Sequence, residues 1–473
     1  MNVSASDLLV VPAVATVASL LPLGRAVRSI GVASGLLVAA LSIVLLATPA
    51  ALAGEQRLVW LAPLGLSYHV GVDGLGGVLL VLSGVLFAVG AAASGDAPHP
   101  RGYMALWCAL QTAVTGIFIA QDLLLFFVFW EAMLVPLSLL IWLWGGPDRG
   151  PATFRFLLYT MTGSAVFLVG IVGLGVAART FDIVDLASKP ISEGAQSLLA
   201  ALFLAAFVVK LPLFPFHAWL PRAYLAAPIP VAIVLSGIIA KTAVYGIVHL
   251  CVGLFPLGIL RLAPVLVSLA AVGALYGALL AFRQRDTRRI IAFASLSHLN
   301  LIGLGAFSAS HLSVEGAAIA SVSHGLVVAA LFLLAAMLAL RTGGFELDRA
   351  SGLGASAPIL AALFTLAVVA AIGVPGTSGF AGEFLILSGS FLAHPAAAIA
   401  ATATVVVAAA YGLRLLRLAF FGPATTTAFD LRLGERALLV PLLALVLLLG
   451  LVPALVTDRI STTDLTPHAQ VAR

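Results

Sequence analysis

The stretch FVVKLPLFPFHAWLP, residues 207–221, decides how the chain is read. The sequence around it has the character of lipid-facing helix. Here, however, a lysine, three prolines and a histidine follow one another within a dozen residues. Lysine near a bilayer centre costs about 2.5–3.5 kcal/mol on insertion scales. Proline removes a helical hydrogen bond and clashes with the preceding turn. Both are tolerated at membrane depth only where the backbone faces protein or a wet cavity. The stretch therefore predicts a helix broken at Pro212 and Pro215 inside a membrane bundle, with Lys210 at the break.

The rest of the chain agrees. Of its 473 residues, 62% are hydrophobic and 9% charged, with mean hydropathy +1.17, which excludes a soluble globular domain. Most apolar runs have the length needed to cross about 30 Å of hydrocarbon as helices. Alternating ten-residue segments of the barrel type are absent. The expected fold is an all-α polytopic membrane protein with 14 spans, at 7–22, 29–53, 75–95, 102–121, 123–144, 153–177, 195–218, 229–251, 256–280, 289–307, 313–340, 357–391, 395–419 and 437–456. The start of the chain lacks a basic segment and its first apolar run continues into further spans, so no cleavable leader is expected. Cys108 and Cys251 sit in apolar context without ligand spacing, which gives disulfides, iron–sulfur clusters and zinc no support.

Loop charge sets the expected orientation. Alternate loops gather sixteen arginines, from Arg25 and Arg28 through the cluster Arg283, Arg285, Arg288 and Arg289 to Arg432 and Arg436. The other face, with both termini, holds six basic residues, Arg57, Arg179, Lys189, Arg261, Arg459 and Arg473. The positive-inside rule puts both termini outside the cytoplasm. The net charge of +5 is then a matter of topology and calls for no nucleic acid.

Charges inside the spans point to function. Only three lysines occur, and Lys210 and Lys241 fall within apolar runs. Glu131 lies in LLLFFVFWEAMLVPLSLL and Glu383 in GVPGTSGFAGEFLILSG. A buried carboxylate finds a cation or becomes neutral, so Glu131 is expected to pair with Lys210, as a proton switch or as a plain inter-helix ion pair. His298 in FASLSHLNLIGLG and His324 in ASVSHGLVVAALF occupy neighbouring spans. Imidazole exchanges protons near neutral pH, although polar side chains also hold membrane helices together. His69, His99, His311, His394 and His468 lie in loops or at span ends, where no specific role is expected. His217 and His249 are intermediate cases, each near a span's end.

A second break, VPGTSGF at 374–380, directly precedes Glu383. Two interrupted helices in corresponding places mark a transporter built from two repeats. An offset of 173 residues separates Lys210 from Glu383 and also Lys241 from Arg414. Glu131, Lys210, Lys241, His298, His324 and Glu383 together form a row of titratable groups at mid-membrane depth, suited to conducting protons.

The motifs FFVFWEAMLVPLSLLIWLWGG, KLPLFPFHAWLP, LSGIIAKTAVYG, DTRRIIAFASLSHLNLIGLG, SVSHGLVVAALFLL, VPGTSGFAGEFLILSGSF and YGLRLLRLAFFGP resemble the antiporter-like subunits shared by respiratory complex I and the Mrp cation/proton antiporters. Within that family the chain is most similar to the subunit M type of bacterial NADH:quinone oxidoreductase, Glu383 standing where other types usually carry lysine. The resemblance implies inverted five-helix repeats of spans 4–8 and 9–13, with helices 7 and 12 broken. It divides the chain into a three-helix segment (1–100), two half-channel repeats (101–253 and 254–422) and a last helix with its tail (423–473). It makes Glu131 and Lys210 a coupling pair, Lys241 a link, His298 and His324 a central relay and Glu383 a terminal acid. It implies a bacterial inner membrane, partner membrane subunits of the L and N types, and no cofactor in this chain. FMN, iron–sulfur clusters and quinone would belong to partner subunits. Arg222 and Tyr224 replace the acid and histidine that the family usually carries in WLPDAH. An Mrp antiporter or membrane-bound hydrogenase subunit is the alternative, and a structural membrane spacer a weaker one.

Overall fold

A computed structural model describes residues 3–48, 50–61, 65–95, 97–423 and 428–460. Its helices run in chain order as α1 (Ala5–Ala18), α2 (Val27–Leu46), α3 (Gly74–Ala93), α4 (Pro100–Ile119), α5 (Leu123–Trp144), α6 (Arg149–Ala178) and α7 (Glu193–Lys210). They continue as α8 (Ile229–Val252), α9 (Pro256–Arg283), α10 (Thr287–Phe307), α11 (His311–Thr342), α12 (Pro358–Ala371), α13 (Ser378–Ala393), α14 (Pro395–Phe420) and α15 (Leu433–Leu451). Among the described residues, 12 helices are long and apolar enough to cross a membrane. The three shorter apolar ones are α1, α12 and α13. At about 1.5 Å per residue, the 14 residues of α1 rise only about 21 Å, less than the hydrocarbon core.

Two expectations need correction. The span expected over 29–53 stops at Leu46, and the chain is not wholly α. Ala53–Leu61 (β1) and Leu66–Val72 (β2) form an antiparallel hairpin with Arg57 opposite His69. The chain reaches β1 through Gly54, whose φ of +65° suits glycine and whose Cα lies against the start of α1. A side chain there would meet the Ala5 backbone nitrogen at 2.7 Å, so only glycine fits this close approach near the start of β1.

Both expected breaks are present. α7 ends at Lys210, and residues 211–219 run without regular helix before a short helix, Leu220–Ala226. α12 ends at Ala371 and α13 begins at Ser378. Proline accounts for the first break. Gly373 and Gly376, at φ +67° and +92°, account for the second.

One loop arrangement occurs twice. Asp122 caps the start of α5 and bridges Asp182, with Leu123 N–H donating to Phe181 O and Ile183 N–H to Gln121 O. Asp286 caps α10 and bridges Glu346, with Thr287 N–H donating to Phe345 O and Leu347 N–H to Arg285 O. In each case a helix of 30 or 32 residues, α6 or α11, ends in a left-handed residue just before the bridge.

Burial is uneven across the bundle. α8 is buried along its whole length and α10 and α11 nearly so, whereas α14 and α15 expose most of their surface. The central helices are therefore those that carry Lys241, His298 and His324.

Candidate functional site

Lys241 is fully buried on α8. Two π-helical stretches, Leu235–Ile239 and Ile247–Val252, flank the α-helical segment that holds it. A π turn widens the helix and loosens its carbonyls, a feature frequent at functional sites. Lys241 Nζ donates to the carbonyl of Ser236, five residues earlier, at 2.7 Å. It lies 2.6 Å from Nδ1 of His324 on α11. That geometry makes Nδ1 an acceptor and leaves the second proton site on Nε2, which is buried without a partner.

The His324 ring faces that of His298 on α10, with centroids 5.8 Å apart. Nδ1 of His298 lies 2.8 Å from Ala294 O and Nε2 lies 2.8 Å from Ala371 O. Two carbonyl partners suit a ring with hydrogen on both nitrogens, the cationic form. Ala371 is the last residue of α12, and the residue four positions on is Pro375, which has no N–H, so its carbonyl has no helical partner. Glu383 Oε1 stands 3.4 Å from the same Nε2 and can balance the charge. Glu383 leans over Gly373, where a Cβ would collide with Oε2. A cavity of about 40 Å³ joins His298, His324, Ser295, Ser323, Gly379 and Glu383. That is room for two or three waters. Lys241, His324, His298 and Glu383 thus form one contiguous polar row across four helices.

Glu131 and Lys210 lie apart from this row. Lys210 is buried, and its Nζ sits 3.8 Å from the centroid of the Trp130 ring with no hydrogen-bond partner. Glu131 is half-buried, and its Oε1 is also buried without a partner. The two are close enough for a coulombic interaction. Among the described residues, however, no ion pair within 4 Å joins them, so the expected pairing is not closed in this geometry. Lys210 rests instead on the Trp130 face, and that ring is held by its own bond, Trp130 Nε1–H donating to Ser164 Oγ at 3.1 Å. A cation on an aromatic face in a dry setting gains about 2 kcal/mol. Toward Lys241, Phe207 of α7 packs on Gly246 of α8, an apolar contact.

Beside the α7 break, a larger cavity of about 620 Å³ is lined by Arg155, His217, Arg222, Tyr276, Arg289 and Asp148, among others. Arg222 is exposed, whereas Tyr224 is fully buried.

The structure also assembles polar groups that sequence reasoning passed over. His69 is buried, contrary to the expectation for a loop histidine. Its Nδ1 lies 2.7 Å from Asp182 and its Nε2 lies 2.9 Å from Glu55. Burial alone would depress the His69 pKa, but hydrogen bonds and charge from Asp182 and Glu55 raise it above 6.5. For Asp182, burial is outweighed by His69, backbone N–H donors and Arg57, and its pKa falls below 3.8. A second cluster joins Asp73, the N-cap of α3, to Tyr245 and His249 on α8. One signal was available for it, the spacing of Lys241, Tyr245 and His249 at steps of four along a helix. His468 lies outside the described residues.

Residues 120–408 match the family profile described as NADH:quinone oxidoreductase/Mrp antiporter, TM. The chain is 36% identical over 415 residues to NADH-quinone oxidoreductase subunit M of Rhodobacter capsulatus, covering 84% of this chain and 81% of that one. It is 36% identical over 422 residues to the subunit M of Pseudomonas aeruginosa, covering 85% and 82%. A chain in the structure of respiratory complex I from Thermus thermophilus with bound NADH superposes with a TM-score of 0.90 at 32% identity, covering 98% of this chain and 100% of that one.

Proposed function

Because the chain belongs to the NADH:quinone oxidoreductase/Mrp antiporter transmembrane family, we propose that it is a proton-translocating membrane-arm subunit of an NADH:quinone oxidoreductase. The observation that carries this reading is the contiguous row Lys241–His324–His298–Glu383. A proton leaving Lys241 Nζ is accepted at His324 Nδ1, and His324 releases its Nε2 proton toward the cavity shared with His298. His298 in turn gives a proton to Glu383 Oε1. Each step exchanges one N–H or O–H bond for another, over distances that a side chain or one water spans. The Glu131–Lys210 pair acts as the switch: as the two close on each other or part, the charge presented toward Lys241 changes.

The proposal extends to topology. The chain has 14 spans if α12 and α13 are one interrupted helix and α1 is completed by the turn after it. The paired bridges at Asp122–Asp182 and Asp286–Glu346 support two repeats, and the alternation of helix direction sets those bridges on opposite faces, as inversion requires. The arginine-rich loops then face the cytoplasm and both termini lie outside a bacterial inner membrane. The 620 Å³ cavity at Arg222 becomes a wet vestibule on the proton-uptake side. The subunit belongs to a translocase whose FMN, iron–sulfur clusters and quinone site sit in partner subunits, with L- and N-type subunits as neighbours. An Mrp-type role remains the alternative reading, disfavoured by the acid at position 383.

The test is proton uptake in vesicles holding the purified complex. Lys241→Met and Glu383→Gln are expected to assemble in normal amounts and to lose most uptake. Wild-type uptake by both variants would reduce the row to helix-holding contacts. Companions that copurify with the tagged chain separate the oxidoreductase from the antiporter.

A further inference from the structure

Four polar residues continue from the centre of the bundle toward the face that carries the β-hairpin. Lys241, Tyr245 and His249 follow at steps of four along α8, which stacks them on one side of the helix with about 5–6 Å between successive Cβ atoms. The Tyr245 and His249 rings are parallel to within 10°, with centroids 4.9 Å apart. Asp73 reaches both from the start of α3. Its Oδ2 accepts from Tyr245 O–H at 2.8 Å and lies 3.0 Å from His249 Nδ1, while Oδ1 accepts the Gly76 N–H at 2.5 Å. Side-chain exposure rises along this line. Lys241 and Tyr245 are at 0%, Asp73 at 7% and His249 at 17%. Nε2 of His249 is nonetheless enclosed and without a protein partner.

A purely structural cluster needs less than this. Capping α3 requires only one oxygen of Asp73 and the Gly76 N–H. The second oxygen collects a phenol and an imidazole, two groups that both donate and accept hydrogen, in line with a buried lysine. A carboxylate held at 7% exposure and bonded to a titratable ring that is 17% exposed is what a relay requires.

We infer that Tyr245, Asp73 and His249 form a proton-release branch leading outward from Lys241, so that this lysine is a junction between two routes. The inference rests on the proton-translocating reading above. In the step itself, the Tyr245 oxygen takes a proton from the Lys241 ammonium as its own O–H proton passes to Asp73 Oδ2. Asp73 then protonates His249 Nδ1, and the resulting imidazolium, its ring turned so that the enclosed Nε2 meets solvent, loses that proton to water. One O–H or N–H bond breaks for each that forms, and no electrons are transferred. Because Nζ now points to His324, the branch operates when the lysine side chain turns from His324 toward Tyr245.

The experiment uses the intact complex in vesicles, measuring protons taken up per NADH oxidised and the amount of subunit present. Asp73→Asn keeps a side-chain oxygen for the cap, and asparagine caps helices about as well as aspartate, but it cannot carry the proton. Asp73→Asn and His249→Gln are each expected to assemble normally and to lose a large part of the protons taken up per NADH. Wild-type stoichiometry in Asp73→Asn at normal subunit amount would overturn the branch and leave Asp73 a capping residue. Should Asp73→Asn fail to assemble, Tyr245→Phe decides, since it removes only a hydroxyl. Its loss of stoichiometry supports the branch and its normal stoichiometry refutes it. Lys241→Met, measured alongside, separates the two claims. If Lys241→Met pumps normally the translocation reading itself fails, whereas loss in Lys241→Met with normal Asp73→Asn and Tyr245→Phe sinks the branch alone.

Discussion

Gly373→Ala is the sharpest probe of the row, because the residue carries no charge and yet holds the Glu383 carboxylate in place. A Cβ at 373 would occupy the position of Oε2. To reach ordinary contact of about 3.5 Å the carboxylate has to retreat by about 1 Å. A retreat directed away from His298 lengthens the His298–Glu383 separation from 3.4 Å to about 4.4 Å. With an effective dielectric constant of about 20, the attraction falls from about 4.9 to about 3.8 kcal/mol. A loss of about 1 kcal/mol is about a fivefold change in the proton's distribution between the two groups. Misplacement of about 1 Å at a reacting centre can slow transfer by about a hundredfold. Alanine at φ +67° adds about 1–2 kcal/mol of backbone strain. Gly376→Ala controls for that strain, since Gly376 also has positive φ but has nothing within 4 Å of its missing Cβ. Proton uptake in vesicles, normalised to subunit amount, is expected to fall severalfold or more in Gly373→Ala and to stay near wild type in Gly376→Ala. Equal behaviour of the two variants would refute the argument that Glu383 works from this position.

Two further outcomes follow from the same geometry. Lys210→Arg keeps a cation on the Trp130 face, so normal assembly is expected, but arginine stays protonated and most proton uptake should disappear; an arginine variant that pumps normally would reassign Lys210 to fixed electrostatics. The hairpin latch should be pH-dependent: the raised His69 pKa gives a contribution fully present below about 6.5 and lost as pH rises through the folded value, while the lowered Asp182 pKa gives one present above about 3.8 and lost as pH falls. Hydrogen exchange of β1 and β2 is therefore expected to speed up as pH rises above neutrality beyond the ordinary base catalysis of exchange, and Asp182→Asn should remove that excess.

Most of the bundle was legible because lipid enforces long apolar helices, and because proline and glycine announce where those helices stop. The site residues were legible for a related reason: a lone charge in eighteen apolar residues has few structural excuses. The hairpin was hidden because β1 runs from polar GEQR at 54–57 into apolar LVWL at 58–61, with no strict alternation to mark a strand. His69 was misread because a loop histidine is ordinarily solvated, and nothing local to it reveals Asp182, 113 residues later. Asp73 and Tyr245 are 172 residues apart, a separation that only the packing of α3 on α8 closes. The open Glu131–Lys210 pair was not legible, because pairing rules for charges alone do not include the Trp130 face on which Lys210 rests.

The placement of the titratable groups also explains why the helices around them are imperfect. Lys210 is the last residue of α7 before its break. Lys241 donates to the Ser236 carbonyl inside a π-helical stretch. His298 donates to Ala371, the carbonyl orphaned where α12 ends, and Glu383 rests on the glycine of that same gap. In regular helix the Ser236 carbonyl would be committed to a backbone N–H, whereas the Ala371 carbonyl would meet Pro375, which has no N–H to give, and in lipid no water could take its place. A buried cation would then have only a carboxylate to turn to, and a desolvated ion pair broken on one side costs about 3–5 kcal/mol. Loosened carbonyls give Lys241 and His298 a second, uncharged partner. The proton can leave one residue for the next without stranding a bare charge, and the energy differences between successive positions stay within reach of a small driving force. If the row carries the protons as proposed, the breaks and π turns serve that path, and a change that restored regular helix at Ser236 is expected to slow proton movement while leaving every titratable side chain in place.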